Sequence, residues 1–172
     1  SVCDKERSTD VYRRIVSRGT PVVFFDRTID NVEASQVRSD DYLMAFFMVE
    51  QLIRSGNKRI VHIPGPSRIR NAYERQRGYR DALEKFHVDF NPDLVLPPAL
   101  SAEEGSQVMD NFLDRNIPFD AVFGFTETAL IGVKNLIQKR GLRIPDDVRV
   151  CCMAAPRSAL LYTPPLPLLN SP

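Results

Sequence analysis

The sequence has few of the residues that build covalent or metal frameworks. It contains only three cysteines and two histidines among 172 residues. Two of the cysteines, Cys151 and Cys152, are adjacent, so the set has neither the pairing of a disulfide framework nor the spacing of zinc ligands. This cysteine usage predicts a reducing, cytoplasmic environment and no metal site.

The charge balance and the lack of long apolar runs argue against a nucleic-acid-binding surface and a membrane-spanning segment in these residues. A formal net charge of +1 leaves no basic surface for nucleic acid, so a DNA-binding part is expected to lie outside this sequence. There is no secretory leader and no run of 18 apolar residues, so nothing here targets or spans a membrane. Because the sequence begins with Ser1 rather than Met, the missing leader carries little weight.

No group of residues has the pattern of a catalytic centre. His62 lies within a predicted strand and His87 at a predicted helix end, and neither has a Cys, Asp or Ser partner at a useful spacing. The glycines form no phosphate-binding pattern. Asp40 and Asp41 serve a helix cap, with no second acidic cluster for a metal ion. We therefore predict that the protein is not an enzyme and uses no cofactor.

What the sequence does contain is a clear strand–break–helix unit at its centre. Residues 59–63 form a short β-branched strand that a Pro-Gly-Pro sequence stops, and residues 72–86 form an amphipathic helix. This is the repeating unit of a doubly wound α/β domain, in which ligands bind beyond the carboxyl ends of the strands. We expect Arg75, on the first turn of this helix, to face that crevice.

Hydrophobic periodicity and turn residues predict the remaining elements. Helices are predicted over residues 9–17, from a cap at 39 or 40 to 54, over 102–115 and from the end of the strand at 120–125 to residue 140. Strands are predicted over 21–26, 36–38, 93–96, 120–125 and 148–153. Ser101 and Glu104 form a capping box at the third of these helices. Residues 39–153 thus contain four strands alternating with four helices, enough for one lobe with a sheet covered on both faces.

The first part of the sequence is too short to close a lobe of its own. Residues 1–38 contain only one clear strand and one helix. We therefore predict an α/β protein with doubly wound parallel sheets in two lobes, the first of them incomplete. Residues 1–38 would be the partial N-terminal lobe, residues 39–160 the C-terminal lobe, and residues 161–172 a crossover back towards the N-terminal lobe. A single lobe with a helical appendage is the alternative.

Seven short motifs occur in unbroken order along the sequence. They are residues 21–27 (PVVFFDR), 39–42 (SDDY), 55–60 (SGNKRI), 65–66 (GP), 75–79 (RQRGY), 141–148 (GLRIPDDV) and 162–166 (YTPPL). Together they resemble the effector-binding core of the lactose-repressor (LacI/GalR) family of transcriptional regulators, over essentially the whole sequence. The resemblance implies two periplasmic-binding-protein-like lobes around a sugar-sized cleft. It also implies a homodimer and an upstream helix-turn-helix headpiece that binds DNA and is absent from this sequence.

The resemblance also implies ligand-binding roles for three charged residues. Asp26, at the end of a buried strand, would accept hydrogen bonds from ligand hydroxyls, and Arg75 matches the family arginine that contacts ligand hydroxyls or carboxylates. Arg38 falls where the chain crosses between lobes, where a charge would favour an anionic ligand. The alternatives are structural: an ion pair with Arg27 or a loop cap for Asp26, a surface arginine like Arg77 for Arg75, and a solvated hinge for Arg38.

Three positions depart from the pattern of the family. Thr126 and Glu127 stand where relatives usually have Asn-Asp, although a threonine can still cap the helix and hydrogen-bond a hydroxyl. Ala154 and Ala155 stand where relatives carry one or two aspartates, and Leu100 where some place an aromatic that stacks on a sugar ring. Leu100 and Thr126 remain candidate ligand residues. The effector would be a less hydroxylated sugar or another kind of metabolite, or the pocket has lost its function.

One predicted helix has more apolar residues than a single buried face needs. Residues 42–53 include Leu43, Met44, Phe46 and Phe47. This excess predicts a second buried face, either on the rest of the first lobe or on a dimer partner.

The function implied is the effector-binding and dimerisation core of a LacI-type regulator or repressor. A sugar or related metabolite would bind in the inter-lobe cleft and control DNA binding by the headpiece. The alternative with the same architecture is a periplasmic sugar-binding protein of a transporter, which would have a secretory leader and act as a monomer. A third reading is a protein-interaction platform with a vestigial pocket.

Overall fold

The computed structural model describes residues 5–25, 29 and 31–153 of the chain, with side chains from residue 9 onward. These residues fall into two compact units that divide after Asp40. The first unit contains α1 (Lys5–Ser17), β1 (Val23–Phe25) and β2 (Ser35–Val37). The second contains α2 (Asp41–Arg54), β3 (Ile60–Ile63), α3 (Arg70–Lys85), a 3₁₀ helix (Pro92–Leu94), α4 (Ala102–Leu113), β4 (Ala121–Gly124), α5 (Glu127–Lys139) and β5 (Arg149–Cys152).

The first unit is built on two parallel strands, with Phe24 opposite Gln36 and Phe25 opposite Val37. Successive side chains of β1 point to opposite faces of the sheet. Phe24 is buried and meets the ring of Tyr12 edge-on, with 5.0 Å between the ring centroids, whereas Phe25 is 78% exposed. Within the described residues, the apolar run of β1 is therefore covered on one face only.

The second unit is a three-layer α/β structure. Its strands are parallel in the order β3-β4-β5, and their side chains alternate between two cores. Ile60, Phe123 and Cys151 point into a core formed with α2 and α3. Val61, Val122 and Val150, one residue along each strand, point into a second core formed with α4 and α5. The continuously apolar strands are explained by this burial on both faces, as the sequence predicted.

The predicted strand over residues 93–96 is wrong. The chain there forms the 3₁₀ helix, and only Val95 pairs with the sheet, through a single bridge to His62. The side chain of Asn91 caps the turn by accepting a hydrogen bond from the amide of Asp93 over 2.9 Å. Asn before Pro favours such a turn because its side chain replaces a backbone acceptor and proline fixes φ. The described part of the second unit therefore has three strands and one bridge.

Two helix starts show how local sequence sets the boundaries. The capping box at α4 is confirmed: the amide of Glu104 donates to Ser101 Oγ over 3.1 Å, and the amide of Ser101 donates to Glu104 Oε2 over 3.2 Å. Helix α3 begins at Arg70, two residues earlier than predicted, with no side-chain cap. Arg75 consequently lies on the second turn of α3 rather than the first.

Helices α4 and α5 cross with their backbones in direct contact. Gly105 of α4 lies against the carbonyl of Ala129, and Gly132 of α5 lies against the carbonyl of Ala102. Neither position has room for a Cβ atom. The two glycines therefore set the close packing of this helix pair.

Candidate ligand site at the carboxyl end of the second sheet

Backbone hydrogen bonds gather the chain segments that follow β3 and β4. The amide of Phe125 donates to the carbonyl of Ile63 over 2.9 Å, and the amide of Ala99 donates to the carbonyl of Pro64 over 3.2 Å. Gly65 packs against the ring of Phe125 with no room for a Cβ atom between them. These contacts form one edge of the sheet, at the carboxyl ends of its strands, where doubly wound folds bind ligands.

Arg75 is the best-anchored charged side chain at this edge. Its Nε donates to Asp41 Oδ1 over 2.7 Å, its Nη2 lies 2.7 Å from the same oxygen in an ion pair, and its Nη1 donates to the carbonyl of Phe125 over 2.6 Å. Its Cζ also lies 4.6 Å from the centroid of the Phe125 ring. The side chains of Arg75 and Asp41 are only 13% and 11% exposed. Arg75 of α3 therefore ties the first turn of α2 to the end of β4.

The neighbouring arginine on the same helix differs in its exposure and in the elements that it contacts. Arg77 is about half exposed, pairs with Glu74 one turn earlier at 3.1 Å, and lies over the ring of Tyr42 at 4.2 Å. Such an exposed pair contributes little to stability. Arg75 is therefore not a surface arginine like Arg77.

The anchored guanidinium of Arg75 still has hydrogen-bonding capacity. A guanidinium carries five N–H donors. Hydrogen bonds to the described residues use one on Nε and one on Nη1, and Nη2 lies in ion-pair contact with Asp41. One donor remains on each terminal nitrogen. Hydroxyl or carbonyl oxygens of a ligand are suitable acceptors for this pair of donors.

The structure brings Thr126 and Leu100 together beside this arginine. Thr126 is the N-cap of α5, as predicted: its Oγ1 accepts a hydrogen bond from the amide of Ala129 over 3.2 Å. The same hydroxyl donates to the carbonyl of Leu100 over 3.5 Å. The side chain of Leu100 is 41% exposed. The edge thus presents an exposed apolar group next to a hydroxyl, immediately after the residue whose carbonyl binds Arg75.

The other predicted ligand residues are Asp26 and Arg38. Asp26 lies outside the described residues, as do Ala154 and Ala155. Arg38 is an exposed residue that directly follows β2 in the first unit. The predicted ligand roles of Asp26 and Arg38 therefore remain predictions from the sequence.

Sequence reasoning missed two members of the cluster, Asp41 and Phe125. Asp41 is the first residue of α2, where its charge favours the positive end of the helix, and this is the only role that its sequence position indicates. Its partner Arg75 is 34 residues away along the chain, and the carbonyl of Phe125 is 50 residues from Arg75. No spacing rule connects residues so far apart.

Two titratable groups on β5, the thiols of Cys151 and Cys152, are buried and neutral. Burial, with a smaller contribution from the charge of Glu127, raises the pKa of the Cys152 thiol to about 12. Burial likewise raises the pKa of the Cys151 thiol. A neutral thiol is a weak nucleophile and metal ligand, so both cysteines act as small hydrophobic residues, as predicted.

His62 is a core residue on β3. Its ring stacks against the rings of Tyr79 and Phe123, at centroid distances of 4.8 and 5.0 Å, and its Nδ1 is 3.0 Å from the carbonyl of Phe123. This distance fits a neutral tautomer that donates from Nδ1. Burial lowers the pKa of His62 to about 4.

No helix within residues 5–25 or 31–153 is long and apolar enough to cross a membrane. In the same part of the chain, no three His, Cys, Asp or Glu side chains are grouped closely enough to hold a metal ion.

Comparisons with known proteins agree with this architecture. The family model described as the periplasmic binding protein domain matches residues 1–163. The chain is 31% identical over 136 residues to the Probable HTH-type transcriptional repressor ExuR of Bacillus subtilis (strain 168), which covers 79% of the chain and 41% of that protein. The chain thus spans less than half the length of this curated relative.

Two solved structures show the same fold. The complex of the transcriptional regulator CelR with cellobiose has a TM-score of 0.77 and 28% sequence identity, covering 88% of this chain and 47% of that one. A sugar-binding transcriptional regulator of the LacI family from Escherichia coli, solved with phosphate, has a TM-score of 0.81 and 23% identity, covering 92% and 57%. The predicted periplasmic-binding-protein-like fold and the resemblance to LacI-type regulators are confirmed.

Proposed function

The chain belongs to the periplasmic binding protein domain family, and on this premise we propose that it is the effector-binding core of a LacI-type transcriptional regulator. The similarity to the repressor ExuR and the regulator CelR supports a regulatory role. In this role the protein works in the cytoplasm as a homodimer and controls DNA binding by a helix-turn-helix headpiece outside this sequence.

The effector is a small molecule, a sugar or a related metabolite, that binds at the carboxyl end of the second sheet. The observation that carries this proposal is Arg75: a guanidinium held by Asp41 and Phe125 that keeps one N–H donor on each terminal nitrogen. Thr126 adds a hydroxyl and Leu100 an apolar surface. Asp26 and Arg38 are proposed as further contacts on sequence grounds alone.

The effector acts by shifting the population of two conformations. A ligand shifts such an equilibrium only as far as its affinities for the two conformations differ. The ligand contacts that matter for regulation are therefore those made in one conformation and not in the other.

A thermal-stability and calorimetry screen of the full chain tests the proposal. The panel contains D-ribose, D-glucose, D-galacturonate, cellobiose and cytidine. A ligand present at 100 times its Kd stabilises the folded state by about 2.7 kcal/mol. We expect at least one member to bind wild-type protein and to bind Arg75→Gln much more weakly.

The matched control is Arg77→Gln, the same substitution one half-turn away on the exposed face of α3. It removes the surface pair with Glu74 but none of the contacts of Arg75. Equal loss of binding in both variants, or no loss in either, would exclude Arg75 as a ligand residue. Binding of no panel member would argue against a sugar-like or nucleoside effector.

A further inference from the structure

We propose that Asp41 is a positioning residue for effector binding, which acts by fixing the orientation of the Arg75 guanidinium. This inference rests on the proposed function, because it assumes that Arg75 contacts the effector. It assigns a role to a carboxylate that the sequence indicates only as part of a helix cap.

The geometry of the pair carries the inference. Asp41 Oδ1 accepts a hydrogen bond from Nε of Arg75 over 2.7 Å and lies 2.7 Å from Nη2 in an ion pair, so the carboxylate occupies the Nε/Nη2 edge of the guanidinium. This side is one of the two edges that a planar guanidinium can offer to a bidentate partner. With it occupied, the donors left for a ligand are those on the terminal nitrogens.

Phe125 provides a second set of contacts, which hold the Nη1 end of the Arg75 guanidinium. The carbonyl of Phe125 accepts from Nη1 over 2.6 Å, and the ring of the same residue lies 4.6 Å from Cζ. The guanidinium is therefore fixed by contacts at two edges and on one face. Asp41 supplies the only carboxylate among the described residues that contact it.

Burial makes this anchoring effective. Solvent screens exposed ion pairs, but both members of this pair are largely removed from water. An arginine side chain that is free to rotate loses entropy when it binds a ligand, and one that is already ordered does not. Removing the charge of Asp41 should therefore weaken effector binding even though Asp41 itself need not touch the effector.

A double-mutant cycle distinguishes a positioning role from direct contact. Wild-type protein, Asp41→Asn, Arg75→Gln and the double variant are titrated by calorimetry with the panel member that binds most tightly, well below the Tm of each. Asp41→Asn should weaken binding about tenfold, equal to about 1.4 kcal/mol, and Arg75→Gln should weaken it further. In the Arg75→Gln background, Asp41→Asn should have no further effect, because two residues that act as a unit are not additive.

A matched acidic control separates positioning from general loss of charge or stability. Glu74→Gln removes the carboxylate that pairs with the neighbouring Arg77 on the same helix, and it should leave the Kd unchanged. If Asp41→Asn weakens binding equally with and without Arg75, Asp41 contacts the effector itself and the positioning role is wrong. If Asp41→Asn binds as tightly as wild type, the inference is also wrong, while the proposed function stands. Binding of no panel member to wild-type protein overturns both.

Discussion

The two ends of the sheet in the second unit carry the same pair of residue types in opposite roles. At the amino end, the carboxylate of Asp120 accepts hydrogen bonds from the amides of Lys58 and Arg59 over 3.0–3.1 Å. The side chain of Arg59 lies 3.5 Å from it and is 55% exposed. At the carboxyl end, Asp41 instead accepts from the side chain of a buried arginine, Arg75.

The two ends differ in whether the partner of the aspartate keeps hydrogen-bond donors that are free for a ligand. At the amino end the acid satisfies backbone amides at the start of β3, so its hydrogen bonds serve the fold. At the carboxyl end the acid holds a guanidinium that still has donors on both terminal nitrogens. An aspartate beside an arginine is therefore not informative by itself, whereas the burial of the arginine and its remaining donors indicate the end that can bind a ligand.

The largest expected effect comes from breaking the buried pair. Arg75→Ala leaves Asp41 largely buried without this partner and removes the contacts with Phe125. Breaking one side of a buried ion pair costs about 3–5 kcal/mol. We expect a loss of this size in the free energy of unfolding, measured by urea denaturation.

The next largest effect is expected from His62, which lies between the two ends of the sheet, and it concerns the dependence of stability on pH. Burial holds the pKa of His62 at about 4, against 6.5 in the unfolded chain. Between these pH values the unfolded chain binds one proton more than the folded protein, so stability is greatest above pH 6.5 and falls as the pH approaches 4. The loss is about 3 kcal/mol, since one pKa unit corresponds to about 1.4 kcal/mol.

Denaturation of wild-type protein and two variants across this pH range provides the check. His62→Phe keeps a ring in the stack and should reduce the acid-induced loss. His87→Asn, at an exposed position, should keep that loss. The same pH dependence in all three proteins would mean that His62 is not its source.

A smaller effect is expected at the amino end. Asp120→Ala removes the acceptor for the amides of Lys58 and Arg59, which then depend on water. Hydrogen bonds to a charged group contribute about 1.5–3 kcal/mol, and water at this partly exposed edge replaces a share of that. We expect a loss of about 2 kcal/mol in unfolding free energy and no change in the Kd of any ligand. Weaker ligand binding in this variant would contradict the division of roles between the two ends of the sheet.

The smallest effect is expected for Arg59→Ala. Its pair with Asp120 is long and exposed, and such pairs contribute less than about 1 kcal/mol. The free energy of unfolding of this variant, measured by urea denaturation, should therefore differ from that of wild type by less than about 1 kcal/mol. A loss as large as that of Arg75→Ala would show that exposure does not separate the two pairs.

Local patterns were sufficient to predict most of the second unit. The β-branched residues before Pro64 and the capping pair Ser101–Glu104 act over a few residues, so the sequence predicted both β3 and the start of α4. The strand at 93–96 was wrong because a single apolar residue, Val95, pairs with the sheet after a turn that Asn91 caps.

The candidate site could be predicted only in part, because some of its contacts join residues that are far apart in the sequence. Positions in the family pattern indicated Arg75, Thr126 and Leu100 as ligand residues. The sequence also predicted correctly that Thr126 caps a helix. The pairing of Arg75 with Asp41 depends on the crossing of α2 and α3, which no local pattern encodes. The division of the chain into lobes at residue 38 remains a prediction from the sequence.

The close packing of α4 against α5 at Gly105 and Gly132 has a mechanical consequence for the site. Leu100 lies just before the N-cap of α4, and Thr126 is the N-cap of α5. Because the two helices touch backbone to backbone at these two positions, no side chain lies between them there that could repack to let one helix slide past the other. The two helices therefore behave as one stiff part, and a ligand that touches both Leu100 and Thr126 meets a surface whose shape is fixed before it arrives.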